Sequence, residues 1–204
     1  KMKKRFLLLI MAMCFAIGLK AQETSLRDTV AFPNTNQSTA LIQTGFNYAY
    51  SQSIYLSSEL THGILSGISW YLSENTAGTR TFEIEVLISE TSTQAFESNT
   101  LLLTPNFTSV YTGSLTISGT GWHNVEFQVP YVYTGANNLV VAVRASMGQY
   151  FYSTAWGMGA EFSTPAIRTL YTARDARAVT PEDPSGVYST TLVPSAIFTR
   201  LPEG

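Results

Sequence analysis

Three aromatic residues in the last third of the chain form the strongest candidate for a ligand-binding surface. Tyr150, Tyr152 and Trp156 lie just before a glycine-rich segment and at its start. Tyr150 and Tyr152 are two residues apart, so on a strand they project from the same face. Exposed aromatic rings bind sugars because the C–H face of a pyranose is apolar and its rim is polar. We predict a glycan platform at these three residues, with packing against the sheet as the alternative.

Glu83 and Glu85 form a second candidate, because paired carboxylates perform acid–base chemistry on glycosidic bonds. They share one face of a strand whose other face carries Phe82, Ile84 and Val86. A solvent-exposed outer face has the same pattern, and we favour that interpretation. A glycoside hydrolase that uses both glutamates remains an alternative function.

Other catalytic or metal-binding patterns are weak. After residue 21 only His62 and His123 are histidines, and their spacing matches no metal-binding motif. Asp175, Glu182 and Asp183 fall in one loop, so calcium is an alternative to a solvated loop. The sequence contains no G-x-S-x-G motif, the pattern that would indicate a serine nucleophile. We predict no metal, no cofactor and no enzymatic activity.

The first 21 residues have the pattern of a secretory signal peptide. Basic residues at positions 1, 3, 4 and 5 precede an uncharged apolar run over residues 6–19, and Ala21 offers a cleavage site. This run is shorter than the roughly 20 residues that span a bilayer. A lipoprotein signal at Cys14 is the alternative, but Met13 stands where such a signal needs a small residue. We predict an exported protein, secreted or on the cell surface, with the periplasm as an alternative.

The chain after the leader is acidic and has no thiol. Five of the 12 basic residues precede residue 22 and all 14 acidic residues follow it, so the net charge there is 7 − 14 = −7. Without a basic cluster, this balance argues against nucleic acid and anionic membranes as partners. The only cysteine, Cys14, lies in the leader, which excludes disulfides, zinc thiolates and a cysteine nucleophile from the rest.

The elements that must position the candidate residues are strands. Apolar and polar residues alternate over 81–89, and Val125, Phe127 and Val129 form an apolar face over 124–129. Residues 139–143 are apolar throughout, as expected of a strand that is covered on both faces. The pattern contains about ten to twelve short strands and no helical period after the leader. It predicts an all-β, two-sheet antiparallel β-sandwich of jelly-roll-like form.

The predicted organisation is a signal peptide at 1–21, a polar lead-in at 22–40, a β-sandwich domain at 41–200 and the start of a linker at 201–204. A short strand is expected in the lead-in near residues 29–32.

Four local features carry structural predictions. Thr112-Gly113 predicts a hairpin turn. Pro130 is expected to end its strand, because proline cannot donate to a ladder. Gly135 supplies a positive φ for a tight turn. Trp122 is expected to cap the edge of the core.

Six short segments between residues 51 and 143 form a recognisable series, in which each segment contains residues with structural roles. They are 51–60 (SQSIYLSSEL), 64–72 (ILSGISWYL), 96–98 (FES), 110–113 (VYTG), 121–124 (GWHN) and 130–143 (PYVYTGANNLVVAV). Together they resemble a β-sandwich module that is common in exported proteins of Bacteroidota, and they are similar to the cleaved-adhesin jelly rolls attached to gingipain-type proteases. The chain departs from that pattern at Tyr131, where phenylalanine is usual, and at 96–102, where an Asp-Trp pair is missing.

The resemblance covers roughly residues 41–200 and implies a function in binding rather than catalysis. Such modules accompany fibronectin type III repeats, proteases or sorting domains, and the family has no agreed catalytic residues. It implies a binding or adhesion module, carbohydrate-binding-like, with a glycan or a surface protein as partner. Further domains are expected beyond Gly204, and no membrane insertion is expected after the leader is removed. A structural spacer is the alternative from another class.

Overall fold

The computed structural model describes residues 25–30, 41–43, 45–72, 79–102, 106–148 and 161–202. These residues form 12 β-strands, and a 3₁₀ turn at Ser57–Glu59 is the only helix among their assigned elements. The strands are β1 (Leu26–Val30), β2 (Tyr48–Tyr55), β3 (Gly63–Leu72), β4 (Arg80–Thr91), β5 (Thr108–Ile117), β6 (Gly121–Tyr133), β7 (Asn138–Ser146), β8 (Glu161–Ser163), β9 (Thr169–Arg174), β10 (Tyr188–Thr190), β11 (Leu192–Pro194) and β12 (Ala196–Arg200).

Two antiparallel sheets pack against each other. A four-stranded sheet has the order β1-β12-β3-β6, and a six-stranded sheet has the order β10-β9-β2-β7-β4-β5. Strands β8 and β11 form a separate two-stranded sheet. The chain passes repeatedly from one large sheet to the other, as in a jelly roll. The predicted all-β, two-sheet antiparallel β-sandwich is confirmed.

The main core lies between the two large sheets. Ile68 and Phe198 of the four-stranded sheet and Val86 and Val141 of the six-stranded sheet belong to one buried cluster. Tyr55 packs edge-on against Phe198, with ring centroids 5.0 Å apart, and its hydroxyl donates to the backbone carbonyl of residue 194 at 2.8 Å. Each fully buried side chain of this size contributes about 1.5–3 kcal/mol to stability.

A second buried cluster covers the opposite face of the six-stranded sheet. Val140 and Ala142 of β7 pack there with Phe96, Leu101 and other residues from the connecting loops. The neighbouring positions 139, 141 and 143 belong to the main core. The prediction that residues 139–143 are covered on both faces is therefore confirmed.

The alternation over 81–89 predicts that Leu87 lies on the same polar face as Glu83 and Glu85, and the second cluster corrects that prediction. Leu87 is only 3% exposed and lies in the second cluster. The alternation along β4 does separate Phe82 and Ile84 from the glutamates. Beyond Val86, however, loops cover the outer face, so both faces of the strand are apolar.

Two predicted breaks in strands are wrong. Strand β5 continues through Thr112-Gly113, because β4 pairs with it on both sides of that point. Strand β6 continues past Pro130 to Tyr133. A proline is tolerated there because β6 is the edge strand of its sheet, where a missing N–H leaves no neighbour unpaired.

An irregularity in β6 surrounds Pro130. Leu65 pairs with Tyr131 while Gly67 pairs with Glu126, so residues 127–130 face a single residue of β3. The bulge turns Val129 outwards, where it is 52% exposed. Val129 was predicted to share the buried face, and the bulge overturns that prediction.

The turn prediction at Gly135 is confirmed. Gly135 has φ +74°, a conformation that favours glycine.

The lead-in contributes a strand to the sandwich. Strand β1 begins earlier than the predicted 29–32 and pairs with β12. Asp28 accepts hydrogen bonds from Arg200 Nε at 2.9 Å and Nη2 at 3.2 Å, which attach this edge strand to the sheet.

Candidate functional site

The aromatic platform predicted from the sequence falls outside the described residues. Tyr150, Tyr152 and Trp156 all lie in the undescribed segment 149–160. The proposal that they bind a glycan therefore stays a prediction.

A different combination of aromatic and polar side chains lies on the outer face of the four-stranded sheet. A groove of about 540 Å³ crosses this face, and all four strands contribute to it. We call it the outer groove. Its lining residues are Ser25, Arg27, Ser66, Gly67, Ser69, Trp122, Asn124, Glu126, Phe127 and Thr199.

Strand alternation explains why β6 supplies the largest share of the groove. Trp122, Asn124 and Glu126 point outwards, while Val125 between them is buried in the main core. The three outward side chains are two residues apart, about 7 Å from one to the next along the strand. They place an indole, a carboxamide and a carboxylate in a row.

Trp122 presents a partly exposed aromatic ring that packs against one neighbouring ring. It is 41% exposed and pairs across strands with Tyr71. The two ring centroids are 5.3 Å apart at an interplanar angle of 72°, an edge-to-face contact. The prediction that Trp122 caps the core is wrong, because its position on β6 points to the outer face while Val125 points inwards.

Asn124 is oriented by a neighbour on β3. Ser69 Oγ donates to Asn124 Oδ1 at 2.9 Å. Because Asn124 Oδ1 accepts this bond, the Nδ2 group points away from Ser69 and keeps both of its N–H donors for a ligand. The groove therefore presents amide donors beside the Trp122 ring.

Gly67 forms part of the groove floor. A Cβ atom placed on Gly67 would lie 3.0 Å from the carbonyl oxygen of Val125 and 3.8 Å from Thr199 Cβ. The absence of a side chain keeps the floor low between β12 and β6.

Charged groups stand at the two ends of one cross-strand row. Arg27 pairs with Thr199, Thr199 with Gly67, and Gly67 with Glu126. Among the described residues, neither the Arg27 nor the Glu126 side chain has a hydrogen-bond or ion-pair partner. The row therefore carries a cation on β1 and an anion on β6, with small residues between them.

The paired glutamates of β4 are engaged with neighbouring side chains. Glu85 forms an ion pair with Arg144 at 2.6 Å, and Glu83 accepts a hydrogen bond from Ser114 Oγ. Both line a shallow depression of about 180 Å³ together with Arg144 and Tyr48. The glycoside hydrolase hypothesis stays an alternative that these contacts do not test.

The remaining polar candidates have structural contacts. His123 Nε2 lies 3.2 Å from the carbonyl oxygen of Gly119. Asp183 accepts hydrogen bonds from Arg174 and Arg177, and these bonds lower the pKa of its carboxyl group. Over the residues that the structure describes, no three His, Cys, Asp or Glu side chains group to hold a metal ion.

Comparison of the chain with protein-family models and with curated proteins yields no match. The resemblance to exported Bacteroidota modules therefore stays a prediction. Within the described ranges, no helix is both long and apolar enough for a membrane crossing.

Sequence reasoning missed the outer groove, although a signal was present. Trp122, Asn124 and Glu126 alternate with Val125 and Phe127, which places the tryptophan on the polar face. Trp122 was expected to cap the edge of the core because it starts a strand, and the alternation was the better guide to its position. The contributions of Arg27 and Gly67 come from distant strands, and no local pattern brings them to the same row.

Proposed function

We propose that this protein is a non-catalytic, exported binding module that holds a glycan in the outer groove. The observation that carries the proposal is the exposed Trp122 ring beside amide, hydroxyl and charged side chains on one sheet face. The leader pattern supports a secreted or cell-surface location. The resemblance supports a role as one part of a larger surface protein.

The Trp122 ring suits a sugar because its face is flat and apolar. Its edge-to-face contact with Tyr71 restricts the indole before a ligand arrives, so little rotational freedom is lost on binding. A pyranose that stacks on the exposed part of the ring removes apolar surface from water on both partners.

The polar side chains around Trp122 suit the rim of a sugar. Hydroxyl groups both donate and accept hydrogen bonds, and the groove offers both functions. The Asn124 amide donates and the Glu126 carboxylate accepts. The Ser66 and Ser69 hydroxyls donate to the Thr199 carbonyl oxygen and to Asn124, so they are left to accept, while the Thr199 hydroxyl can do either. An apolar platform with a small number of polar groups is the usual composition of a small-ligand site.

Glycan-array binding of Trp122→Ala tests the proposal. We expect wild-type protein to bind at least one glycan class and the variant to lose that binding. Tyr188→Ala is the matched control, because Tyr188 is 60% exposed and stacks on Tyr171 with ring centroids 5.6 Å apart. It lies on β10, the edge of the other large sheet. Equal binding by wild type and Trp122→Ala would exclude the outer groove.

Two further variants separate this site from the alternatives. Trp156→Ala tests the platform predicted from the sequence. Loss of glycan binding in Trp156→Ala, together with unchanged binding in Trp122→Ala, would assign the site to that platform. Wild-type protein that binds no glycan would favour a structural spacer. The two glutamates that line the depression on β4 motivate a hydrolase screen, in which activity lost in Glu83→Gln and Glu85→Gln would support the enzyme.

A further inference from the structure

The charges of the outer groove point to one class of glycan. We propose that the ligand is an acidic oligosaccharide, whose carboxylate binds Arg27 while a neutral sugar unit stacks on Trp122. This inference rests on the proposed glycan-binding function and adds the chemical class of the ligand and its direction in the groove.

Arg27 differs from the other arginines of the described chain. Six of the seven arginines after the leader have side-chain interactions, and Arg27 alone has none among the described residues. The engaged arginines are Arg80, Arg144, Arg168, Arg174, Arg177 and Arg200. Arg27 is thus a guanidinium that lines a groove with its donors available.

A guanidinium recognises a carboxylate better than it recognises a hydroxyl. Its planar donors match the two oxygens of a carboxylate, and the charge-assisted bonds are about twice as strong as neutral ones. An acidic sugar therefore gains more from Arg27 than a neutral sugar does. The Arg27 end of the groove is where a sugar carboxylate is expected.

Glu126 sets the direction of the ligand. The cross-strand row from Arg27 to Glu126 spans three strand spacings, about 14 Å between the backbones. A carboxylate near Glu126 would be repelled, and the Trp122 ring lies on that same strand. An oligosaccharide with its acidic unit over β1 and a neutral unit over β6 satisfies both ends.

The overall charge favours short ligands as probes. The chain after the leader has a net charge of 7 − 14 = −7, which repels a long polyanion at low salt. A short oligosaccharide with one or a few carboxylates gains the contact with Arg27 and meets less of this repulsion. Array oligosaccharides that contain uronic or sialic acids are therefore the appropriate probes, each paired with its methyl ester.

The experiment measures by calorimetry the binding of each acidic oligosaccharide and of its methyl ester to wild type, Arg27→Gln and Trp122→Ala. We expect wild type to bind the acid about 10- to 100-fold more tightly than the ester, the range of a charge-assisted hydrogen bond. Arg27→Gln is expected to bind both forms equally, and Trp122→Ala to bind neither. Arg177→Gln removes the same charge from an exposed residue on a distant loop and should retain the preference.

The outcomes separate the two proposals. Trp122-dependent binding with no preference for the acid would overturn the acidic ligand and leave glycan binding intact. A preference for the acid that survives Arg27→Gln would overturn the role of Arg27 and likewise leave glycan binding intact. Loss of the preference in Arg177→Gln as well would assign it to net charge and overturn the role of Arg27. Binding that is indifferent to Trp122→Ala, or no binding to any oligosaccharide of the array, would overturn both.

Discussion

Gln52 and Leu102 form two hydrogen bonds between a buried carboxamide and the backbone of a loop. Leu102 N–H donates to Gln52 Oε1 at 2.9 Å, and Gln52 Nε2 donates to the Leu102 carbonyl oxygen at 2.8 Å. Gln52 is fully buried in β2 and also donates to the Tyr50 hydroxyl at 3.0 Å. The Gln52 carboxamide therefore satisfies both backbone polar groups of Leu102, as a paired strand would, and attaches the loop that covers the second cluster.

Replacing Gln52 by leucine is expected to lower the free energy of unfolding by about 1–3 kcal/mol, because the Leu102 backbone groups lose their partners. Gln128→Leu is the matched control. Gln128 makes the same pair of bonds with Thr112, at 3.1 and 2.9 Å, but in solvent. Urea unfolding of both variants measures the difference. A cost for Gln128→Leu as large as that for Gln52→Leu would contradict the role of burial.

Glu59→Ala is expected to destabilise the fold by about 3 kcal/mol, the lower end for a broken buried ion pair. Arg168 is buried and donates to Glu59 Oε1 at 2.8 Å and to the Ile54 carbonyl oxygen. Without Glu59 the charge of Arg168 remains inside, and its two hydrogen bonds to that carboxylate are lost while those to the Ile54 carbonyl oxygen remain. Thermal unfolding measures the effect. The double variant Glu59→Ala/Arg168→Met should recover part of the loss, and no recovery would contradict this explanation.

Alkaline pH is expected to destabilise the fold through Tyr50. Burial is the main cause that raises the pKa of Tyr50 to about 12, above its usual value near 10. Because the pKa of Tyr50 is higher in the folded than in the unfolded chain, the neutral hydroxyl contributes stability that is fully present below pH 10. This contribution is lost as the pH rises through 12. A difference of about two units corresponds to about 2–3 kcal/mol. No lysine follows residue 20, so tyrosines dominate this titration.

The free energy of unfolding measured from pH 8 to pH 12 tests this prediction with Tyr50→Phe as the comparison. The variant should be less stable at pH 8, because it loses the bond from Gln52, and its stability should decline less with pH. Tyr131 and Tyr133 also have raised pKa values, mainly through desolvation, so some decline remains. Identical pH slopes for wild type and variant would refute the assignment to Tyr50.

Asn124→Ala is expected to weaken glycan binding by about tenfold, the loss of one or two hydrogen bonds, with the melting temperature nearly unchanged. Ser69→Ala should have a smaller effect, because Ser69 orients the carboxamide through its 2.9 Å bond. Calorimetric titration with the glycan that wild type binds gives both affinities. A larger loss for Ser69→Ala than for Asn124→Ala would reverse the roles assigned to them.

The sequence by itself determined the fold class and the buried strand at 139–143. Both depend on the short-range alternation of apolar and polar residues, which follows directly from strand geometry. The same alternation separated Phe82 and Ile84 from Glu83 and Glu85 before any tertiary contact was known.

Only the tertiary structure decided which strands are edges and which faces lie under loops. Pro130 is accommodated because β6 is an edge strand, and Leu87 is buried because distant loops cover its side of β4. Arg27, Gly67 and Trp122 share a face because β1, β12, β3 and β6 are neighbours in one sheet, although they are far apart in the chain. Strand order is a long-range property, and no local pattern of residues encodes it.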